Sequence, residues 1–306
     1  MRTAFIKQLV EEASTDDKVF LLVADLGYNI VEPFAQQFPE RFINVGIAEQ
    51  NMAGIAAGLA KEGFIPFIYS IGNFPTLRCM EQIRYDICYH HLNVNIIAVG
   101  GGYAYGSLGT SHHTTEELGM LRTIPDLTVC TPADPTESKM LTTLAVKETS
   151  PFYIRLGKNG EKIIHEKPLN DYQTGEAVLI QKGENTAVLS TGSIAIDNLD
   201  FIKENKINAS VYTFPIIKPL NKEKLLPIFN SYKKIITTEE HQASAGFGSA
   251  ILEAMNDLRE EGLLTHLPKV QRIAIRDTFS AISGSQMFLK EKNFLSLQKS
   301  YFDDNL

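Results

Sequence analysis

The stretch Asn44-Val-Gly46-Ile-Ala-Glu49-Gln-Asn-Met-Ala-Gly54-Ile-Ala-Ala-Gly58-Leu-Ala60 decides the fold class. A β-branched run over 42–45 stops at Gly46, a short turn carries Glu49, and residues 50–62 have helical composition. Strand, turn and helix in that order form the repeating unit of α/β proteins. The small residues Ala53, Gly54, Ala56, Ala57 and Gly58 let this helix approach another backbone or a cofactor closely. Outward from here the same rhythm recurs. Short apolar runs predict strands at 19–24, 67–69, 94–99, 128–131 and 152–154, with helices at 74–90, 115–122 and 135–148. The opening MRTAFIKQLVEEA is amphipathic and reads as the first helix. Segment 158–174 is polar and turn-rich, which places a boundary there and predicts domains at 1–165 and 166–306. Beyond it, strands at 177–181, 186–190, 209–214, 234–239 and 270–275 alternate with helices at 194–204 and 246–260. The expected fold is α/β, with two open, mainly parallel sheets covered by helices.

Composition agrees with that size and class. At about 150 residues per domain, 306 residues suggest two domains. With 44% hydrophobic and 21% charged residues the chain is not of disordered or fibrous type. Its net charge of −7 removes the electrostatic case for a general nucleic-acid binder, while leaving room for one basic pocket. No apolar run reaches the length of a membrane span, and the N-terminal stretch carries acids without a small-residue cleavage site, so neither a membrane anchor nor a signal peptide is expected. Cys79, Cys88 and Cys130 lack CxxC spacing; a reduced, cytoplasmic location without structural zinc follows as an expectation.

Four segments hold the candidate chemistry. Glu49 opens a helix, where the dipole favours any acid, but its small-residue surroundings also suit a cofactor. Residues 99–117 run from a strand end through a glycine-rich loop to His112 and His113, in the position where open α/β sheets bind ligands. Adjacent histidines diverge, so one is expected to face a site while the other makes structural contacts, and a metal pair is excluded by the spacing. Glu116 and Glu117 read as a solvated first helical turn. Arg155 closes a buried-looking strand and is either an ion-pair partner or a bidentate clamp for phosphate or carboxylate. Residues 236–250 lack GxGxxG spacing and read as a packing and interface motif. His90, His91, His165 and His266 carry no signal.

Taken in order, ValAlaAspLeuGly (23–27), ProGluArgPheIleAsnValGlyIleAlaGluGlnAsnMet (39–52), GluGlnIleArg (81–84), GlyThrSerHisHis (109–113), IleProAspLeuThrVal (124–129), ThrProAlaAsp (131–134), TyrIleArg (153–155) and ThrThrGluGluHis (237–241) resemble the C-terminal two-thirds of transketolase, and less closely 1-deoxyxylulose-5-phosphate synthase. The resemblance implies a pyrimidine-binding domain for thiamine diphosphate followed by a transketolase C-terminal domain. It implies transfer of a two-carbon ketol unit between sugars or sugar phosphates. Glu49 matches the glutamate that hydrogen-bonds N1′ of the aminopyrimidine and so promotes removal of the thiazolium C2 proton. Asp25 and Gly46 match positions at the cofactor-facing strand ends, His112 and His113 the substrate-binding loop, and Arg155 an arginine that holds the sugar phosphate.

The departures are informative. The family loop Gly-Glu-Asp-Gly-Pro-Thr-His is here Gly106-Ser-Leu108-Gly-Thr-Ser-His112, so its aspartate is Leu108; an expected histidine is Gly100. Both changes remove polar contacts to a sugar. Ser70–Arg78 replaces a Phe-rich run and leaves Phe74 as the ring for the pyrimidine. No Gly-Asp-Gly occurs in the chain. The family uses that motif to bind Mg²⁺ and the diphosphate, so the resemblance implies that another polypeptide, a diphosphate-binding N-terminal subunit, holds both, and that no metal ligand is expected here. The expected assembly is a heterotetramer containing a homodimer of this chain. The alternatives are the β subunit of a 2-oxoacid dehydrogenase first component, which IleAlaGluGlnAsn and GluGlnIleArg disfavour, and a silent scaffold, which joint retention of Glu49, His112 and Arg155 disfavours.

Overall fold

The structure is a computed structural model and describes residues 1–303. Its strands in chain order are β1 (Val19–Val23), β2 (Phe42–Asn44), β3 (Ile65–Ile71), β4 (Asn95–Val99), β5 (Thr128–Cys130), β6 (Phe152–Leu156), β7 (Val178–Gln181), β8 (Thr186–Ser190), β9 (Ser210–Thr213), β10 (Ile216–Lys218), β11 (Lys234–Gln242) and β12 (Lys269–Ile275). The helices are α1 (Arg2–Thr15), α2 (Glu32–Gln37), α3 (Glu49–Lys61), α4 (Glu117–Arg122), α5 (Pro135–Lys147), α6 (Ile194–Glu204), α7 (Lys222–Ser231), α8 (Phe247–Glu260) and α9 (Gln286–Lys292). One sheet runs β10-β5-β6-β4-β3-β1-β2 and the other β12-β11-β8-β9-β7. All pairings are parallel except β10 on β5 and β7 on β9, which both lie at sheet edges. These are the two mainly parallel α/β sheets that the sequence rhythm predicts.

Burial on both faces explains the uninterrupted apolar strands. In β4, Ile96 and Ala98 face a core that includes Met52, Ala53 and Ala56 of α3, while Ile97 and Val99 face Phe5 and Leu9 of α1 and Leu141 of α5. The period of two divides one strand between two cores. The α3-side core continues into the second unit through Ala187, Leu189, Phe214, Phe247 and Ile251, so the two sheets share one apolar interior.

Several elements differ from expectation, the short helices α2 and α9 among them, which no sequence signal announced. Residues 74–90 form no single α-helix: a 3₁₀ turn, Leu77–Cys79, precedes a π-helical segment, Gln82–Tyr89, that buries Ile83, Ile87 and Cys88 beneath α3. Strand β10 is too short to show periodicity, yet it carries the chain back from the second unit to pair with β5. Helix α7 contains Pro227, which reads in sequence as a breaker.

Candidate functional site

The C-terminal ends of β1, β3 and β4 open onto one edge of the first sheet, where α/β proteins bind ligands. Glu49 is the first residue of α3 and is only 4% exposed. Arg78 Nη1 donates to its Oε2 at 3.2 Å. The same guanidinium lies over the Phe74 ring, 4.1 Å from the centroid, and Phe74 meets the His112 ring edge-on at 5.5 Å. His112 Nδ1 is engaged by Ser111 Oγ at 3.0 Å. A continuous row, Glu49–Arg78–Phe74–His112, therefore joins α3, the segment after β3 and the histidine loop. Asn73 Nδ2 ties the last two together by donating to His113 O at 2.6 Å, and a side chain at Gly72 would collide with Thr114. Of this row, sequence reasoning missed Arg78; the available signal was a lone cation in the 70–78 stretch already singled out for its aromatic ring.

Asp25 and Gly46 stand on the neighbouring lip. Asn44 Oδ1 accepts from Asp25 N and from Gly46 N, each at 3.0 Å, and both residues have left-handed backbone (φ 51° and 72°). Asp25 Oδ1 accepts from Tyr28 Oη at 3.0 Å; that bond and the carboxylate charge raise the phenol above its ordinary pKa.

His113 and Arg155 do not join the row. His113 is buried, edge-on to Tyr103 at 5.0 Å, and burial pulls its pKa below 6.5. The two histidines diverge as adjacent residues must, and His112 is the one left half-exposed. Arg155, expected to hold a sugar phosphate, is 5% exposed and committed internally. Its Nε is ion-paired to Glu117 Oε1 at 2.8 Å, and its Nη2 donates to Thr114 O and, at 2.9 Å, to Glu240 O. Of its two sequence readings, the ion-pair partner is the one the geometry realises. Glu117 is correspondingly not solvated: it is fully buried, also accepts from Tyr153 Oη at 3.2 Å, and burial raises its pKa against the pull of Arg155.

The 237–241 motif lies at the junction of the two units. Glu239 accepts from Phe247 N at 2.6 Å and Gly248 N at 2.8 Å at the start of α8; burial outweighs those bonds and pushes its pKa up to about 7. Glu240 Oε2 accepts from Tyr103 N at 3.1 Å. His241 Nε2 accepts from Gly119 N at 3.1 Å, and burial pushes its pKa down to about 4.

Residues 1–160 match the family model of the transketolase pyrimidine-binding domain and residues 175–292 that of the transketolase C-terminal domain. The chain belongs to the transketolase family. It is 30% identical to an apulose-4-phosphate transketolase subunit of Phocaeicola vulgatus, over 84% of this chain and 83% of that one. It is 31% identical to the 6-deoxy-6-sulfo-D-fructose transketolase subunit SqwH of Clostridium sp., over 95% and 89%. A solved structure described as a split gene transketolase, inactive beta4 tetramer, superposes with a TM-score of 0.83 at 33% identity, covering 96% of this chain and 93% of that one. Membership of the transketolase family implies an enzyme of thiamine-diphosphate-dependent transferase type.

Two positions where this transketolase-family chain departs from the family loop have visible replacements. Leu108 is 54% exposed on the histidine loop, and at Gly100 (φ 88°) a side chain would collide with the Tyr105 ring. Leu108 is thus an aliphatic side chain in solvent, and the Tyr105 ring fills the space beside Gly100.

Proposed function

We propose that this chain is the C-terminal subunit of a split transketolase that moves a two-carbon ketol unit between sugars or sugar phosphates, its site completed by a diphosphate-binding partner subunit. The observation that carries the reading is Glu49: a buried carboxyl at the sheet's ligand-binding edge, with Oε2 held by Arg78 and Oε1 receiving no hydrogen bond among the described residues. A carboxyl at this edge with one oxygen held and the other left to bond a ligand fits the ring nitrogen of an aminopyrimidine. The Phe74 ring beside it offers an apolar face for stacking.

Bound thiamine diphosphate supplies a nucleophilic C2 carbon and an electron sink. Glu49 would hydrogen-bond pyrimidine N1′ and share a proton with it there. Arg78 fixes the carboxyl's orientation. His112 has Nδ1 engaged by Ser111 and no partner for Nε2 among the described residues, which leaves Nε2 to meet a substrate hydroxyl and move a proton at that oxygen. Asp25 and Gly46 border the cofactor side of the lip.

Two features favour a partner. Tyr28 (69%), Ile47 (79%) and Leu108 (54%) are large apolar side chains left in solvent on the three loops around this edge, as an uncovered interface leaves them. The relatives named above as subunits also match this chain over most of their own length. Mg²⁺ and the diphosphate belong to the partner in this reading, and a homodimer of this chain forms the centre of a heterotetramer, in the cytoplasm. Calorimetric titration with thiamine diphosphate and Mg²⁺ tests the division of the site. No measurable heat is expected with this chain alone and saturable binding once the partner is added; tight binding by the isolated chain refutes the division.

A further inference from the structure

Residues 103–113, which carry Leu108, His112 and His113, leave β4 and return through a closed neck. Gly102 N donates to Thr114 O at 2.8 Å and Thr114 N to Gly102 O at 2.9 Å. The second unit holds this loop at both ends. At the neck, Tyr103 N donates to Glu240 Oε2 at 3.1 Å, and Arg155 Nη2 bridges Thr114 O to Glu240 O. A side chain at Gly102 would run into Glu240, so the carboxylate is seated directly against the loop's backbone. At the far side, Gly284 N donates to Gly106 O at 3.2 Å and Thr110 Oγ1 to Ser280 O at 2.9 Å, and a side chain at Gly106 would collide with Leu289 of α9. Helix α9 completes the link. Gln286 Nε2 donates to both oxygens of Glu240, at 2.8 and 3.1 Å, while Lys290 Nζ stands 3.7 Å from Oε1 and pairs with Asp197 of α6. Glu240 is 5% exposed, and its carboxylate contacts are the loop's backbone, Gln286 and Lys290. Fully partnered buried carboxylates rigidify what they bind.

We propose that Glu240, with Gln286 and Lys290, is a positioning residue: the C-terminal domain sets the course of loop 103–113 and through it the place of His112. This rests on the reading of His112 as the substrate-facing imidazole. It gives the C-terminal domain a definite task in a site to which it presents no reacting group.

The test uses the reconstituted two-chain complex with hydroxypyruvate as the donor probe. Glu240→Ala is expected to leave thiamine C2 proton exchange within about twofold of the parent while kcat/KM for the donor falls about tenfold or more. Glu240→Gln, whose amide oxygen still accepts from Tyr103 N, recovers most of that loss. Gln286→Ala shows the same signature at smaller amplitude and serves if Glu240→Ala does not fold. Unchanged donor kinetics in these variants overturn the proposal, and so does a parallel fall of exchange and turnover, which marks general disruption. The underlying reading fails separately: if His112→Ala leaves donor kinetics unchanged, His112 is not the substrate contact, whatever Glu240 does.

Discussion

His165 shows how far a side chain's role depends on partners distant in sequence. In the polar 158–174 segment it looks inert, yet it is 7% exposed and lies between two fully buried carboxylates, Asp134 Oδ2 at 3.1 Å and Glu137 Oε1 at 3.2 Å. Burial alone lowers an imidazole's pKa; here the bonds and charges of Asp134 and Glu137 outweigh it and raise the pKa from 6.5 to about 9. A pKa raised on folding contributes stability that is complete below 6.5 and is lost as pH climbs through about 9. The melting temperature should therefore fall across that window, and His165→Gln should have a lower, flatter profile. Equal slopes for parent and variant in a pH series of thermal melts contradict this. Arg155 teaches the same lesson. Its place at a strand end is visible in sequence, but its commitment to Glu117 and two carbonyls is not, because those partners arrive from α4, the histidine loop and β11.

Among elements, β10 has consequences out of proportion to its three residues. It takes the chain from the second unit onto the edge of the first sheet, with Ile216 opposite Cys130, and Thr131 N donates to Pro215 O at 2.8 Å just beyond. Ile216 is fully buried in the α1-side core. Ile216→Ala should cost about 2–5 kcal/mol, read as a lower denaturant midpoint at unchanged slope; a loss below about 1 kcal/mol would show that the strand is expendable. Most of the remaining strands are legible because short runs of buried apolar residues leave little alternative to a parallel sheet. What escapes are β10, which exists only by pairing with β5, the π-helical segment packed beneath α3, the Pro227-containing α7, and the short helices α2 and α9.

At the scale of the molecule, two sheets share one core and two units share one loop. The ordered motifs make the family legible, because their order and spacing along the chain are specific where no single segment is. Glu49, Phe74 and His112, each singled out from the sequence, stand together in space, and their roles there are part of the proposal. Arg78 and Glu240 lie inside stretches that the sequence singles out, but their roles are not legible there, since their partners Glu49 and the histidine loop are set against them only by the fold. The central claim is that Glu49 is this chain's proton-handling contribution to a thiamine site completed by another subunit. Its most direct test is the rate of hydrogen–deuterium exchange at the thiazolium C2 carbon, followed by NMR in the complex with the partner subunit. Fast exchange in the parent complex, falling about a hundredfold or more in a Glu49→Gln complex that still assembles, is the predicted result; equal rates in the two complexes contradict the account.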